Sequence, residues 1–187
     1  IDNVPKISNL KDILVLPARG GMGKDVARQA NTLAATLAGR LNGKHKLLHV
    51  PDNFSDEKIL REIKNERSIK EVLEKLKSCD VLIFGIGRAD VMGRRRGLCE
   101  KSLNSILEQG AVGEAFGHYF NKDGEVIFST PTIGFNTEDI WKISTLIAVA
   151  GKKSKAEAII STLINKKNSV LITDEGTAKE ILNILSE

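Results

Sequence analysis

Ile13-Leu14-Val15-Leu16-Pro17-Ala18-Arg19-Gly20-Gly21-Met22-Gly23 is the stretch on which the reading of the fold turns. Four apolar residues stop at a proline, and a glycine-rich turn follows. Beyond it Val26, Ala30, Leu33, Ala34 and Leu37 fall on one helical face. Strand, glycine turn and helix in succession are a common way to hold a phosphate. The turn lets backbone N–H groups approach the anion, and the helix N-terminus adds about half a positive charge. Arg19 brings a fork of donors to the same place.

Further apolar runs of strand length follow at residues 47–50, 81–84, 146–150 and 170–172. They lack polar alternation, which predicts strands buried on both faces, as in a parallel sheet. Helical patterns stand between them: Ile69, Val72, Leu73 and Leu76, then Ala156, Ile159, Ile160 and Leu163, then Ala178, Ile181, Leu182 and Leu185. This alternation predicts an α/β fold with a doubly wound, mostly parallel, Rossmann-like sheet. Residues 114–127 break the pattern. There Asn121-Lys122-Asp123-Gly124 separates Phe116, Tyr119 and Phe120 from Val126, Ile127 and Phe128, and Asp-Gly between β-formers predicts a small antiparallel hairpin. No linker, repeat or low-complexity stretch interrupts the chain, so residues 1–187 read as a single domain.

Composition narrows the function. Aromatic residues make up 4%, too few for a nucleic-acid stacking platform. A net charge of +4 suits a local anion site better than a surface that wraps DNA. Cys79 and Cys99 have no partner at metal or redox spacing, which predicts free thiols in a reducing cytoplasm, and no metal or cofactor is expected. No apolar run reaches membrane-spanning length and no secretory signal is present. The chain begins at Ile1 rather than Met, which reads as a fragment of a longer protein.

In doubly wound sheets, ligands sit beyond the C-terminal ends of the strands. Three glycine-bearing loops are predicted at that edge: residues 18–23, Gly85-Ile86-Gly87-Arg88-Ala89-Asp90, and Gly151-Lys152-Lys153-Ser154-Lys155. Each joins a permissive backbone to a basic side chain, which predicts an anion pocket. The first loop lacks P-loop spacing, and Asp90 stands where a dinucleotide fingerprint wants its third glycine. Arg94-Arg95-Arg96 reads as a mostly solvated run from which one arginine can reach inward to a phosphate. His49 falls in a predicted strand. His118 lies near Glu114 in sequence, but no activated nucleophile or second poised acid accompanies it, so no catalytic residue is assigned; the alternative reading, a sugar-phosphate isomerase or deaminase, rests on the same loops with Asp90, Glu114 and His118. Asp174 and Glu175 read as the N-cap and first-turn acid of the last helix.

Several pieces in the same order resemble the effector-binding domains of SorC-type transcriptional regulators, nearly end to end. They are the stretch from Leu14 to Gly23, Gln29-Ala30-Asn31-Thr32, Gly85-Ile86-Gly87, Glu114-Ala115-Phe116-Gly117 and Asn121-Lys122-Asp123-Gly124, followed by Ile147-Ala148-Val149-Ala150-Gly151, Ser154-Lys155-Ala156-Glu157-Ala158-Ile159 and Thr173-Asp174-Glu175-Gly176. The resemblance implies a fold similar to sugar-phosphate isomerases and deaminases that binds a sugar phosphate without turning it over. It implies a repressor of glycolytic genes, with fructose 1,6-bisphosphate as the first candidate effector. It also implies a homodimer or tetramer that reaches operator DNA through an N-terminal domain outside this chain, and no membrane partner. Carried over by position, the implied pocket takes Arg19, Gly20, Gly21 and Gln29, then Gly85, Ile86, Gly87, Arg88 and Asp90 with Arg95, then Glu114, and finally Gly151 with Lys155. Arg19, Arg95 and Lys155 would neutralise phosphate, backbone amides would ring its oxygens, and Glu114 and Gln29 would read sugar hydroxyls. The chain departs from the family in two places. Its third loop is Ala150-Gly151-Lys152 where the family has Ala-Gly-Gly, a strained turn if that position needs a positive φ. No histidine follows Gly87-Arg88-Ala89-Asp90 where the enzymes of this fold carry an acid and a histidine.

Overall fold

A computed structural model describes residues 1, 3–21, 25–54, 56–135, 137–140 and 142–186. The chain divides into two compact units, Ile1–Cys79 with Pro131–Asn136, and Asp80–Thr130 with Thr137–Glu187.

In the first unit, strand β1 (Leu14–Val15) leads by way of helix α1 (Ala30–Arg40) to strand β2 (Lys44–His45), which pairs parallel to β1. Ala34 and Ala38 face inward on α1. The helix stops where Asn42 takes φ 53 and the Gly43 N–H turns back to the Ala38 carbonyl. Helix α2 (Glu57–Asn65) starts at Asp56, whose carboxylate accepts the Lys58 N–H at 2.7 Å. Helix α3 (Arg67–Leu76) follows directly and buries Ile69, Val72 and Leu76, as its spacing predicts. The core joins Leu48, Leu60, Ile69, Val72 and Ile133, the last from the returning segment 131–135. Burial stabilises each such side chain by about 1.5–3 kcal/mol.

The run at 47–50 is not a strand, contrary to its apolar pattern, and His49 lies outside any strand with it. Both backbone groups of Leu48 are taken by one side chain. Its N–H donates to Asn31 Oδ1 at 2.9 Å, and its carbonyl accepts from Asn31 Nδ2 at 3.0 Å. An amide from α1 replaces the neighbouring strand, so Leu48 is buried without a ladder.

In the second unit, strands β3 (Val81–Gly85) and β4 (Gly87–Arg88) lead to helices α4 (Ala89–Arg95) and α5 (Glu100–Glu108). Three strands follow, β5 (Gly113–Ala115), β6 (His118–Phe120) and β7 (Val126–Ser129). The chain continues through helix α6 (Thr137–Ile140), strand β8 (Thr145–Val149), helix α7 (Ala156–Leu163), strand β9 (Ser169–Ile172) and helix α8 (Glu175–Ser186). Strands β3, β8 and β9 form a parallel sheet in that order, and β4 to β7 form an antiparallel sheet in chain order. The fold is therefore mixed α/β, with parallel sheets and the antiparallel excursion foreseen at 114–127. The turn at 121–124 is the expected one: Gly124 takes φ 80, and Asn121 Oδ1 accepts the Asp123 and Glu125 N–H groups. A second hairpin turns at Phe116 and Gly117, with φ 57 and 85, the primed geometry that suits strand twist.

The parallel strands are not buried on both faces as the apolar runs suggest. Leu82, Phe84, Leu146 and Ala148 point into the core, whereas Val81, Ile83, Val149, Val170 and Ile172 stand 42–54% exposed. Helices α2, α4 and α5 were not legible as periodic stretches, although α5 buries Leu103 and Ile106 one turn apart. Among the described residues, no helix is long and apolar enough to cross a membrane.

Candidate functional site

The first loop is held by its own unit. Gly20 N–H donates to the Ile133 carbonyl and Gly21 N–H to the Val50 carbonyl, so these two amides bind protein. A Cβ at Gly20 would meet the Pro51 carbonyl oxygen at 2.4 Å, so close backbone approach is what requires glycine there. The Arg19 Nε–H donates to Asp52, a fully buried carboxylate. Sequence reasoning missed Asp52, and Pro51-Asp52 after the run at 47–50 was the only signal for it. Gln29 stands immediately before α1, and its Oε1 lies 2.6 Å from where a Gly21 Cβ would be, so the two candidates are adjacent. An open cavity of about 620 Å³ in this unit is lined by Gln29, Asn31, Thr32, His49 and Pro51. Met22 and Gly23 of the expected loop lie outside the described residues.

The second unit brings the other two loops to one edge. Its parallel register sets Gly85 opposite Val149 and Val149 opposite Ile172, so the chain leaves β3, β8 and β9 on the same side. Lys155 joins two of these exits. It lies at the start of α7, and its Nζ donates to the Ile86 carbonyl at 2.8 Å. Among the described residues it has no carboxylate partner. Burial, and then the ammonium of Lys152, push Lys155 below the usual lysine range. Gly87 is in close contact: a Cβ there would lie 2.3 Å from Met92 Cγ.

Lys152 takes φ 89 and ψ 127, outside the left-handed helical well and near a region otherwise left to glycine. Such a position costs roughly 1–3 kcal/mol. Asp174 holds it there, because its Oδ2 accepts the Lys152 N–H at 2.9 Å. The same carboxylate caps α8 as the sequence predicts, accepting the Thr177 N–H at 2.9 Å and the Thr177 hydroxyl at 2.7 Å. The Lys152 N–H, then the Thr177 hydroxyl and N–H, draw Asp174 down to about 2. A carboxyl with a depressed folded pKa contributes stability that is present above its unfolded value, near 4, and is lost as pH falls through about 2. Between pH 4 and 2 the melting temperature is therefore expected to fall more steeply for the natural chain than for Asp174→Asn. Parallel melting curves across that window would count against this account.

The remaining candidates have partners. Arg88 grips Asp90 through two bonds of 3.0 and 2.8 Å. Burial alone would raise the Asp90 carboxyl, but the Arg88 contacts outweigh it and hold the group below the usual carboxylate range. Of the arginine run, Arg94 and Arg95 are exposed and Arg96 is the one that turns inward. Arg96 Nη2 and Nε donate to Glu114 Oε1 at 2.7 and 3.1 Å, with both side chains only 3% exposed. The Gly117 N–H donates to the same oxygen at 2.6 Å, so Glu114 also ties down the 116–117 turn. Arg95 ends α4 on the surface without a carboxylate partner among the described residues. The ring nitrogen Nδ1 of His118 bonds the Ser129 hydroxyl at 2.7 Å across the β6–β7 pair. Among the described residues, no His, Cys, Asp and Glu group of three or more could hold a metal.

This arrangement places Lys152 and Lys155, which have no carboxylate partner among the described residues, beside glycine-bearing strand exits, which suits an anionic ligand. The sequence pattern of the family described as a "Putative sugar-binding domain" matches residues 1–183. The chain belongs to that family. Among sugar-binding domains of this kind, its relatives are transcriptional regulators. The central glycolytic genes regulator of Bacillus subtilis is 45% identical over 175 residues, covering 94% of this chain and 51% of that protein. The regulator of the same name from Priestia megaterium is 45% identical over 171 residues, covering 91% of this chain and 50% of that protein. The chain thus spans about half the length of these curated relatives. A solved Enterococcus faecalis structure assigned to the SorC family superposes with a TM-score of 0.82 at 36% identity, covering 93% of this chain and 70% of that one. The full-length sorbitol operon regulator SorC from Klebsiella pneumoniae shares the fold, with a TM-score of 0.88 at 20% identity over 97% of this chain and 61% of that one.

Proposed function

We propose that this sugar-binding domain is the effector sensor of a transcriptional repressor of glycolytic genes. Its ligand on this reading is a phosphorylated sugar, fructose 1,6-bisphosphate first, which is bound and released unchanged. The observation that carries the reading is Lys155. Its ammonium is fixed by the Ile86 carbonyl at the shared exit of β3 and β8, with no carboxylate beside it among the described residues. The 45% identity to regulators of central glycolytic genes supports the same choice. In the whole regulator, the ligand would favour one assembly state, homodimer or tetramer, over another and so change operator affinity. It can do so only through its difference in affinity for the two states.

Titration calorimetry and thermal melts of the chain with fructose 1,6-bisphosphate, fructose 6-phosphate and unphosphorylated fructose test this. At one hundred times the dissociation constant, a ligand that binds only the folded chain adds about 2.7 kcal/mol of stability. Heat and a raised melting temperature with the phosphorylated sugars, and neither with fructose, are expected. No heat with either phosphate at millimolar concentration would overturn the proposal.

A further inference from the structure

Resting on that reading, we infer that Lys152 is a second phosphate-directed cation, kept at a strained backbone position for its charge. The first support is conformation. Phe116 and Lys152 are the residues other than glycine, Asn and Asp that take a positive φ among the described residues. Phe116 is explained by the tight β5–β6 turn, and its ring lies 4.8 Å from Phe84. Nothing in packing explains Lys152, whose side chain is exposed. A glycine there would keep both backbone bonds, the N–H to Asp174 and the carbonyl to the Lys155 N–H at 2.8 Å, without the strain.

The second support is charge. Lys152 acts electrostatically on Lys155. Asp174, which bonds to this loop from the start of α8, spends its oxygens on the Lys152 N–H and on Thr177 rather than on either ammonium. The two ammonium groups repel each other, and neither has a carboxylate partner among the described residues. A phosphate monoester near neutral pH carries between one and a half and two negative charges, which two lysines match and one does not. Lys152 thus selects for the phosphate dianion, whose attraction to both ammonium groups offsets the repulsion between them.

Two variants of the full chain separate charge from strain. Lys152→Gly removes both, and Lys152→Gln removes the charge while retaining a Cβ. Each is expected to weaken fructose 1,6-bisphosphate binding by about five- to twentyfold at low salt and to reduce the salt dependence of binding. Without ligand, Lys152→Gly is expected to melt higher than the natural chain, whereas Lys152→Gln is not. Inorganic phosphate should follow the same order of affinities. If the natural chain and Lys152→Gly bind equally tightly while Lys155→Ala fails, the inference falls and the proposed function stands. If the natural chain binds no phosphorylated ligand, both fall.

Discussion

Replacing Arg96 with methionine is expected to destabilise the second unit by about 3–5 kcal/mol, the cost of stripping one partner from a buried ion pair. Both side chains are 3% exposed, so water cannot take over from the lost guanidinium. Glu114 would retain the Gly117 N–H but lose two charge-assisted bonds to Nε and Nη2. Glu114→Gln alone also breaks the pair, leaving the cation buried. The double variant, Arg96→Met with Glu114→Gln, removes both charges and leaves an amide oxygen for the turn, so it is expected to recover most of the loss. Urea denaturation of the four proteins completes the cycle. A cost below about 1 kcal/mol for Arg96→Met would show that the pair is solvated and contributes little.

Lys155→Ala is expected to lower affinity for a phosphorylated sugar by about tenfold to a hundredfold, the worth of a charge-assisted bond of 1.5–3 kcal/mol. Folding loses one bond as well, to the carbonyl of Ile86, a residue 2% exposed, at about 1–3 kcal/mol. Urea denaturation measures that cost and calorimetry on the folded variant measures the affinity, so the two effects are separable. Lys155→Arg is expected to restore part of the affinity, since the charge returns on a longer, planar head. An affinity unchanged in Lys155→Ala would place the phosphate elsewhere.

Much of this was legible in the chain because it depends on local rules. Apolar runs of strand length set β1, β3, β8 and β9. Helical spacing set α1, α3, α7 and α8. Asp174 announced its own cap, and Asp-Gly announced the 121–124 turn. The condition set at Lys152, a strained turn if the position needs a positive φ, is met there. What stayed hidden depended on partners distant in sequence. Leu48 looks like a strand residue until Asn31, 17 positions away, takes its backbone. Three consecutive arginines look alike until the packing of α4 turns only Arg96 toward Glu114, 18 positions on.

The family, the mixed α/β class and the loops that bear glycine and lysine are written in the order of residues, because residue type and spacing fix local conformation. Which charges are already matched emerges only when the chain is packed. Arg19 meets Asp52, Arg88 meets Asp90 and Arg96 meets Glu114, whereas Lys152 and Lys155 have no carboxylate partner among the described residues. An ion's availability depends on distance and burial, and neither is a property of a residue or its neighbours in the chain.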